Sequence, residues 1–345
     1  MPTYEVCLWP RSSFEFVPRA ETLFGAICWT IRSFWGENKL TDILAEFSRK
    51  PPFLLSSSFP CQRLRSGKII HYLPRPILRP LSLNDIVGCC TEAKPDHKGL
   101  SYDSPGQSAF TWIMEQYKQC RKIAFITSAA LDLFSSASDE LPLFKAFLEG
   151  QLQEPKWRSN QGMAKTKIDR LGQATSGAGN LFFQEEQFLS QGWGLYFLVR
   201  TDHWSDLIYP VFRFLEDSGI GRNAHTGRNQ FRLEWTAEPD WLPSGKGPRF
   251  ICLSPYCQNI GDDIDWDAST YGVKSFQGAV ESREEFAGSP VWKRRFLMVQ
   301  EGSCLIASQV KDYYGCLVPS SEIKGKTVYT YAITWPLHLD MPKED

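Results

Sequence analysis

At 345 residues the chain exceeds one average domain, and a prior of about 150 residues per domain suggests about two. Hydrophobic residues at 42%, with 23 Phe, 12 Trp and 12 Tyr, exclude a disordered chain. A formal net charge of -1 argues against a diffuse electrostatic grip on nucleic acid, so any basic surface is local. No apolar run approaches the ~20 residues of a membrane span, and "MPTYEVCLWPRSSFEF" carries no basic leader before an apolar stretch. The expectation is a cytoplasmic protein with no membrane association. Ten cysteines, with Cys89 and Cys90 adjacent and no C-x-x-C, fit reduced, mostly buried thiols, and no metal site or cofactor is indicated.

"TYEVCLWP" alternates and reads as a half-buried strand. "RAETLFGAICWTIRSFWG" sets Leu23, Phe24, Ile27, Ile31, Phe34 and Trp35 on one helical stripe, with Gly36 as a stop. A short helix near 40–47 and a strand in "PPFLLSSSFP" complete a β-α-β opening. Residues 61–84 are proline-rich, read as extended loop or hairpin, and hold Arg63, Arg65, Lys68, Arg75 and Arg79 without an acid. A polar excursion at 92–107 precedes helices around 107–123 and 127–150. Residues 154–180, basic and then glycine-rich, have no consistent period and read as a long functional loop.

The second half repeats the pattern: a strand in "GWGLYFLVR", a helix in "DHWSDLIYPVFRFLEDSG", then a strand in "FRLEW". Further strands are expected in "RFICLSP", "RRFLMVQEG" and "TVYTYAITWPL". The fold class is therefore α+β, with two ferredoxin-like domains at 1–190 and 191–345.

"GIGRNAHTGRNQF", residues 219–231, links that last helix to its strand. Its glycines are spaced G-x-G-x-x-x-x-x-G in the order helix, loop, strand, which fails the dinucleotide fingerprint, and no G-K-S or G-K-T follows. Two readings stay open from the residues alone. Gly219 caps a helix before a hairpin-like entry to an edge strand. Alternatively, Gly219, Gly221 and Gly227 permit close backbone approach while Arg222, His225 and Arg228 donate to phosphate.

This loop resembles the glycine-rich loop of the repeat-associated mysterious proteins (RAMPs) of CRISPR systems. Together "RAETLFGAICWTI", "PPFLLSSSFP", "YLPRP", "KIDRLGQATSGAGNLFFQEEQF" and "VQEGS" resemble the Cas5-like family that supplies the fourth Csm subunit of type III-A complexes, from about residue 19 to 303. Ala20 and Glu21 depart from the Ser-Asp usual there, and the third glycine continues as "GRNQF". The resemblance implies a non-catalytic subunit that holds the 5′ handle of a guide crRNA. It also implies contact with the large polymerase-domain (Cas10-like) subunit and a Csm backbone subunit, and only indirectly with target RNA. Lys165, Lys167 and Arg170 would sit on a thumb that wedges into the guide, or on an ordinary basic loop. The helix starting after Arg19 would offer N–H groups to a phosphate, or be a plain capped core helix. Arg63 would line the RNA channel or face a protein partner.

Other classes are weighed on the same residues. Some RAMP relatives cleave repeat RNA with a histidine. Of His71, His97, His203, His225 and His338, the candidates for that endoribonuclease reading are His225 and His71. "DDIDWD" at 262–267 reads as an acidic surface turn. A Cas5-like subunit of another CRISPR subtype and a pure protein adaptor complete the alternatives.

Overall fold

The structure is a computed structural model that describes residues 1–92, 109–133, 135, 137–166, 181–221, 227–243, 245–280, 291–323 and 325–339. The chain divides into two compact units, Met1–Ile69 with Lys156–Pro239, and Ile70–Pro155 with Asp240–Asp345. The boundary expected at residue 190 is corrected: each unit is assembled from two separate stretches.

In the first unit, β1 (Thr3–Pro10) lies between two antiparallel partners. It is followed by α1 (Ala20–Glu46), β2 (Phe53–Leu55), β3 (Phe59–Arg63), the ribbon β4 (Arg158–Thr166) and β5 (Leu181–Leu189), β6 (Trp193–Thr201), α2 (Tyr209–Ser218) and β7 (Phe231–Ala237). The sheet runs β7-β1-β6-β3, with β2 also on β6, and all these pairings are antiparallel. β6 is the hinge of the assembly because it pairs with β1, β2 and β3 at once. Residues 193–199 are therefore buried without interruption, as a strand covered on both faces demands. The two β-α-β openings read from the sequence thus make one sheet, and the second is not the start of a second domain.

Leu23, Phe24, Ile27 and Ile31 are buried, as the helical stripe requires. Gly36 leaves helical geometry at φ 84°, so the helix breaks there and resumes to Glu46. Just before that break the stripe is lost: Phe34 and Trp35 stay about half exposed, with Phe34 edge-on to Phe214 at 4.8 Å. The link Ser56–Ser58 between β2 and β3 is buried, and its serines are structural. Ser56 Oγ accepts the Leu198 N–H at 2.8 Å, and Ser57 Oγ accepts the Ala20 N–H at 3.1 Å, closing the start of α1.

The second unit holds helices at Leu83–Glu92, Ala109–Cys120 and Leu141–Leu148, packed through Ile86, Ile113, Tyr117 and Phe144. Tyr117 donates to the buried Glu140 carboxylate, which Arg75 also meets at 2.8 Å. Its β part has a three-stranded sheet, Cys304–Ile306, Arg249–Cys252 and Pro336–His338, and a long hairpin, Tyr314–Ile323 with Lys326–Thr334. From residue 240 onward the described residues contain no α-helix. No helix among the described residues is long and apolar enough to cross a membrane.

Candidate nucleic-acid interface

The glycine loop begins where α2 ends. The Gly219 N–H donates to Leu215 O at 2.8 Å while φ 78° and ψ 166° turn the chain out of the helix, a region open to glycine. Gly221 has φ 93°, and a Cβ there would stand 2.9 Å from Phe16 Cζ. Gly227 also has positive φ but faces open space. Arg222 and His225 lie outside the described residues.

The floor of the loop is the segment between β1 and α1, which carried no signal in the sequence. Asn229, at φ 55° and almost fully buried, donates its N–H to Ser13 O at 2.9 Å, and its Oδ1 accepts the Glu15 N–H at 2.9 Å. Its O accepts the Ile220 N–H, so the two ends of the loop are tied together. Gln230 N–H reaches Ser12 Oγ at 3.0 Å. On its other side the same segment joins the ribbon, where Phe14 and Gln187 exchange both backbone hydrogen bonds at 2.8 Å.

Residues 158–166 are a strand, correcting the expected loop at 154–180; Lys167 and Arg170 lie outside the described residues. Lys165 stands opposite Phe182 in the ribbon register. Leu181, Phe182 and Phe183 are 63%, 49% and 74% exposed, so the ribbon presents aromatic faces to solvent beside a cation.

Glu186 connects the ribbon to the loop. Its carboxylate meets Lys165 Nζ at 2.8 Å and Arg228 Nη2 at 2.6 Å, and it accepts the Ser13 hydroxyl. Arg228 also donates to Gln184 Oε1 at 2.7 Å. The Arg228 side chain is only 5% exposed. Its expected part as a phosphate donor is therefore corrected: the guanidinium is spent on a buried ion pair that holds β5 against the loop. Burial alone would raise the Glu186 carboxyl, but hydrogen bonds from Lys165 and Ser13, with the Arg228 charge, outweigh it and hold the group below its ordinary value. With a lowered folded pKa, its contribution is present above the unfolded value of about 4.3 and is lost as pH falls through the folded one. The stability gap between wild type and Glu186→Gln should thus narrow on acidification in denaturant titrations. A gap constant with pH would contradict the ion-pair account.

Arg63 is also engaged. Its guanidinium lies 4.0 Å from the Trp9 ring centroid and pairs with Glu234 on β7, across the sheet. Trp9 fits because residue 194 is glycine: a Cβ would stand 2.7 Å from Trp9 Cε3. Arg19 precedes α1 with backbone carbonyl bonds to Thr22 and Leu23, and its side chain meets Glu21 at 3.5 Å. The start of α1 is closed by Ser57 and faced by an acid, which disfavours the phosphate reading there. Of the expected residues, the structure brings together Gly219, Gly221, Gly227, Arg228 and Lys165; Arg63 and Arg19 have separate structural contacts. No cluster of metal-ligating side chains occurs among the described residues.

No family model matches the chain. A curated Csm4 protein of a CRISPR system, from Thermococcus onnurineus (strain NA1), is 25% identical over 351 residues, 99% of each chain. The chain is similar to Csm4 along its whole length. Its fold is also similar to a chain of the Csm1-Csm4 cassette crystallised with cA4, at TM-score 0.55 and 18% identity over 100% of both chains. The Csm3-Csm4 subcomplex of a type III-A CRISPR-Cas interference complex gives TM-score 0.55 and 16% identity over 97% of this chain and 99% of that one. The full-length match to Csm4 accounts for the sequence resemblance from residue 19 to 303.

Proposed function

We propose that this Csm4 relative is a non-catalytic RNA-binding subunit of a type III-A Csm effector in the cytoplasm. It binds and caps the repeat-derived 5′ handle of the crRNA, and it bridges the large polymerase-domain subunit to the backbone subunits in antiviral defence. The carrying observation is the Glu186 junction, which fastens a positive-φ glycine loop to a ribbon bearing Lys165 and the exposed Phe182 and Phe183. Single-stranded RNA is held by cations on its phosphates and aromatic faces under its bases, and the ribbon offers both in the partly exposed Lys165 and in Phe182 and Phe183. Related chains crystallised with Csm1 and with Csm3 support the two protein partners. The β-α-β-β-α-β order and the sheet order fourth-first-third-second support a ferredoxin-like reading of the first unit.

The described histidines support a non-catalytic role. His71 is buried and stacked 4.1 Å from Trp241, His203 meets Asp206, and His338 bonds the carbonyls of Gly247 and Lys311 through its two ring nitrogens. The test is binding of the purified protein to labelled guide RNA with and without the 5′ handle, at two salt concentrations. Because Arg228 is structural, the informative variant is Arg222→Ala alone. Handle-dependent, salt-sensitive binding weakened by Arg222→Ala, with intact RNA, is expected. Cleaved RNA would favour the endoribonuclease, and equal binding without the handle would contradict the proposal.

A further inference from the structure

The second unit contains a pair of thiols that the function above does not use. Cys257 and Cys316 are 59 positions apart by their numbers and unrelated by any motif. The fold nevertheless brings them side by side. The Cys257 N–H donates to Ala332 O at 3.1 Å, and Ala332 is the cross-strand partner of Cys316 in the long hairpin. Gly315 permits this approach: at φ 101° it carries no Cβ, which would stand 3.2 Å from Cys257 O. Asp262 holds the arrangement by accepting the Gly315 N–H at 2.8 Å and the Asn259 N–H at 3.1 Å. The two side chains are hydrogen-bonded to each other, and both are half-buried.

The geometry points to Cys257 and Cys316 as a dithiol modification site that a low-molecular-weight disulfide converts to an intramolecular disulfide. Hydrogen-bonded sulfurs have only to close to a bond of about 2.05 Å. The roles within the pair are unequal. The hydrogen bond from Cys316 lowers the Cys257 thiol to about 7, so Cys257 supplies the thiolate. The same bond pushes Cys316 far up, with burial and the Asp262 charge adding to it. The Cys257 thiolate attacks one sulfur of the small disulfide, RS–SR, and expels RS⁻, leaving a mixed disulfide on Cys257. Consuming that thiolate removes the main influence holding the proton on Cys316. Cys316 then loses its proton to water, attacks Cys257 Sγ and expels the second RS⁻. Two protein thiols are oxidised, and one exogenous disulfide is reduced to two thiols.

A second thiol pair in the first unit provides an internal contrast. Cys7 and Cys61 are also hydrogen-bonded, but they are 4% and 0% exposed, and the Cys61 hydrogen bond and burial both push Cys7 up. Proximity is common to both pairs; reagent access belongs to one.

The experiment treats the full chain with oxidised glutathione at neutral pH, blocks remaining thiols with iodoacetamide and maps the peptides. A Cys257–Cys316 linked peptide that dithiothreitol dissolves is expected, with Cys7 and Cys61 unlinked. Cys316→Ser should stop at glutathione on Cys257, and Cys257→Ser should leave Cys316 a free thiol. A map in which Cys257 and Cys316 remain separate alkylated thiols overturns the proposal. So does a Cys257→Ser chain that takes up glutathione on Cys316 as fast as wild type forms the link.

Discussion

Arg228→Ala lowers the stability of the first unit by about 3 kcal/mol, the lower end of the range for removing one partner from a buried ion pair. The low end applies because Glu186 keeps Lys165 and the Ser13 hydroxyl after the guanidinium is gone. The loss should appear in urea unfolding, and hydrogen exchange should place it at β5 and the 227–230 stretch, the elements the pair joins. RNA binding would fall as well, through loss of the assembled site rather than of a phosphate contact. A change below about 1 kcal/mol, within the range of exposed pairs, would show that the Glu186 junction does not hold the site together.

Gly302→Ala is the second large effect, in the other unit. Gly302 belongs to the "VQEGS" turn and has φ 85°. Its N–H donates to Cys252 O at 2.9 Å and its O accepts the Ile77 N–H at 2.7 Å, so the turn is pinned on both sides. A Cβ would stand 2.5 Å from the Arg75 carbonyl oxygen, a backbone atom that no side-chain rotation can move. The backbone conformation alone costs about 1–3 kcal/mol for a non-glycine residue, and the clash adds to it, so we expect a loss of about 3 kcal/mol or more. Gly67→Ala is the control, because Gly67 has φ 86° and open space around its would-be Cβ. Equal losses from the two substitutions in thermal unfolding would remove the close-approach explanation of the Glu-Gly-Ser turn.

Local signals were legible in this sequence, and long-range pairing was not. The α1 stripe from Leu23 to Ile31, the break at Gly36 and the positive φ of Gly219 all follow from spacing and residue type. The strand at 193–201 was equally visible as an apolar run. Its place beside β1, β2 and β3 was not, because a run buried on both faces names no partner. That omission made one sheet look like the starts of two domains. The ribbon escaped because "RSNQGMAKT" is exposed almost throughout and leaves no apolar period. At the site, the positive charge of Arg228 was plain, whereas Glu186, 42 positions away, looked like one acid among several. The structural serines of "LLSSSF" and the Ser12–Glu15 floor were missed for the same reason: their partners are backbone groups remote in sequence.

The proposed function requires the 219–228 loop to lie on the 5′ handle. Its most direct measurement places a photo-crosslinking amino acid at position 222 or 225 of the subunit in a reconstituted Csm complex and maps the adduct on the guide RNA. Adducts confined to the repeat-derived 5′ handle are the result expected here. Adducts spread along the spacer, or formed on protein partners with none on RNA, would contradict it.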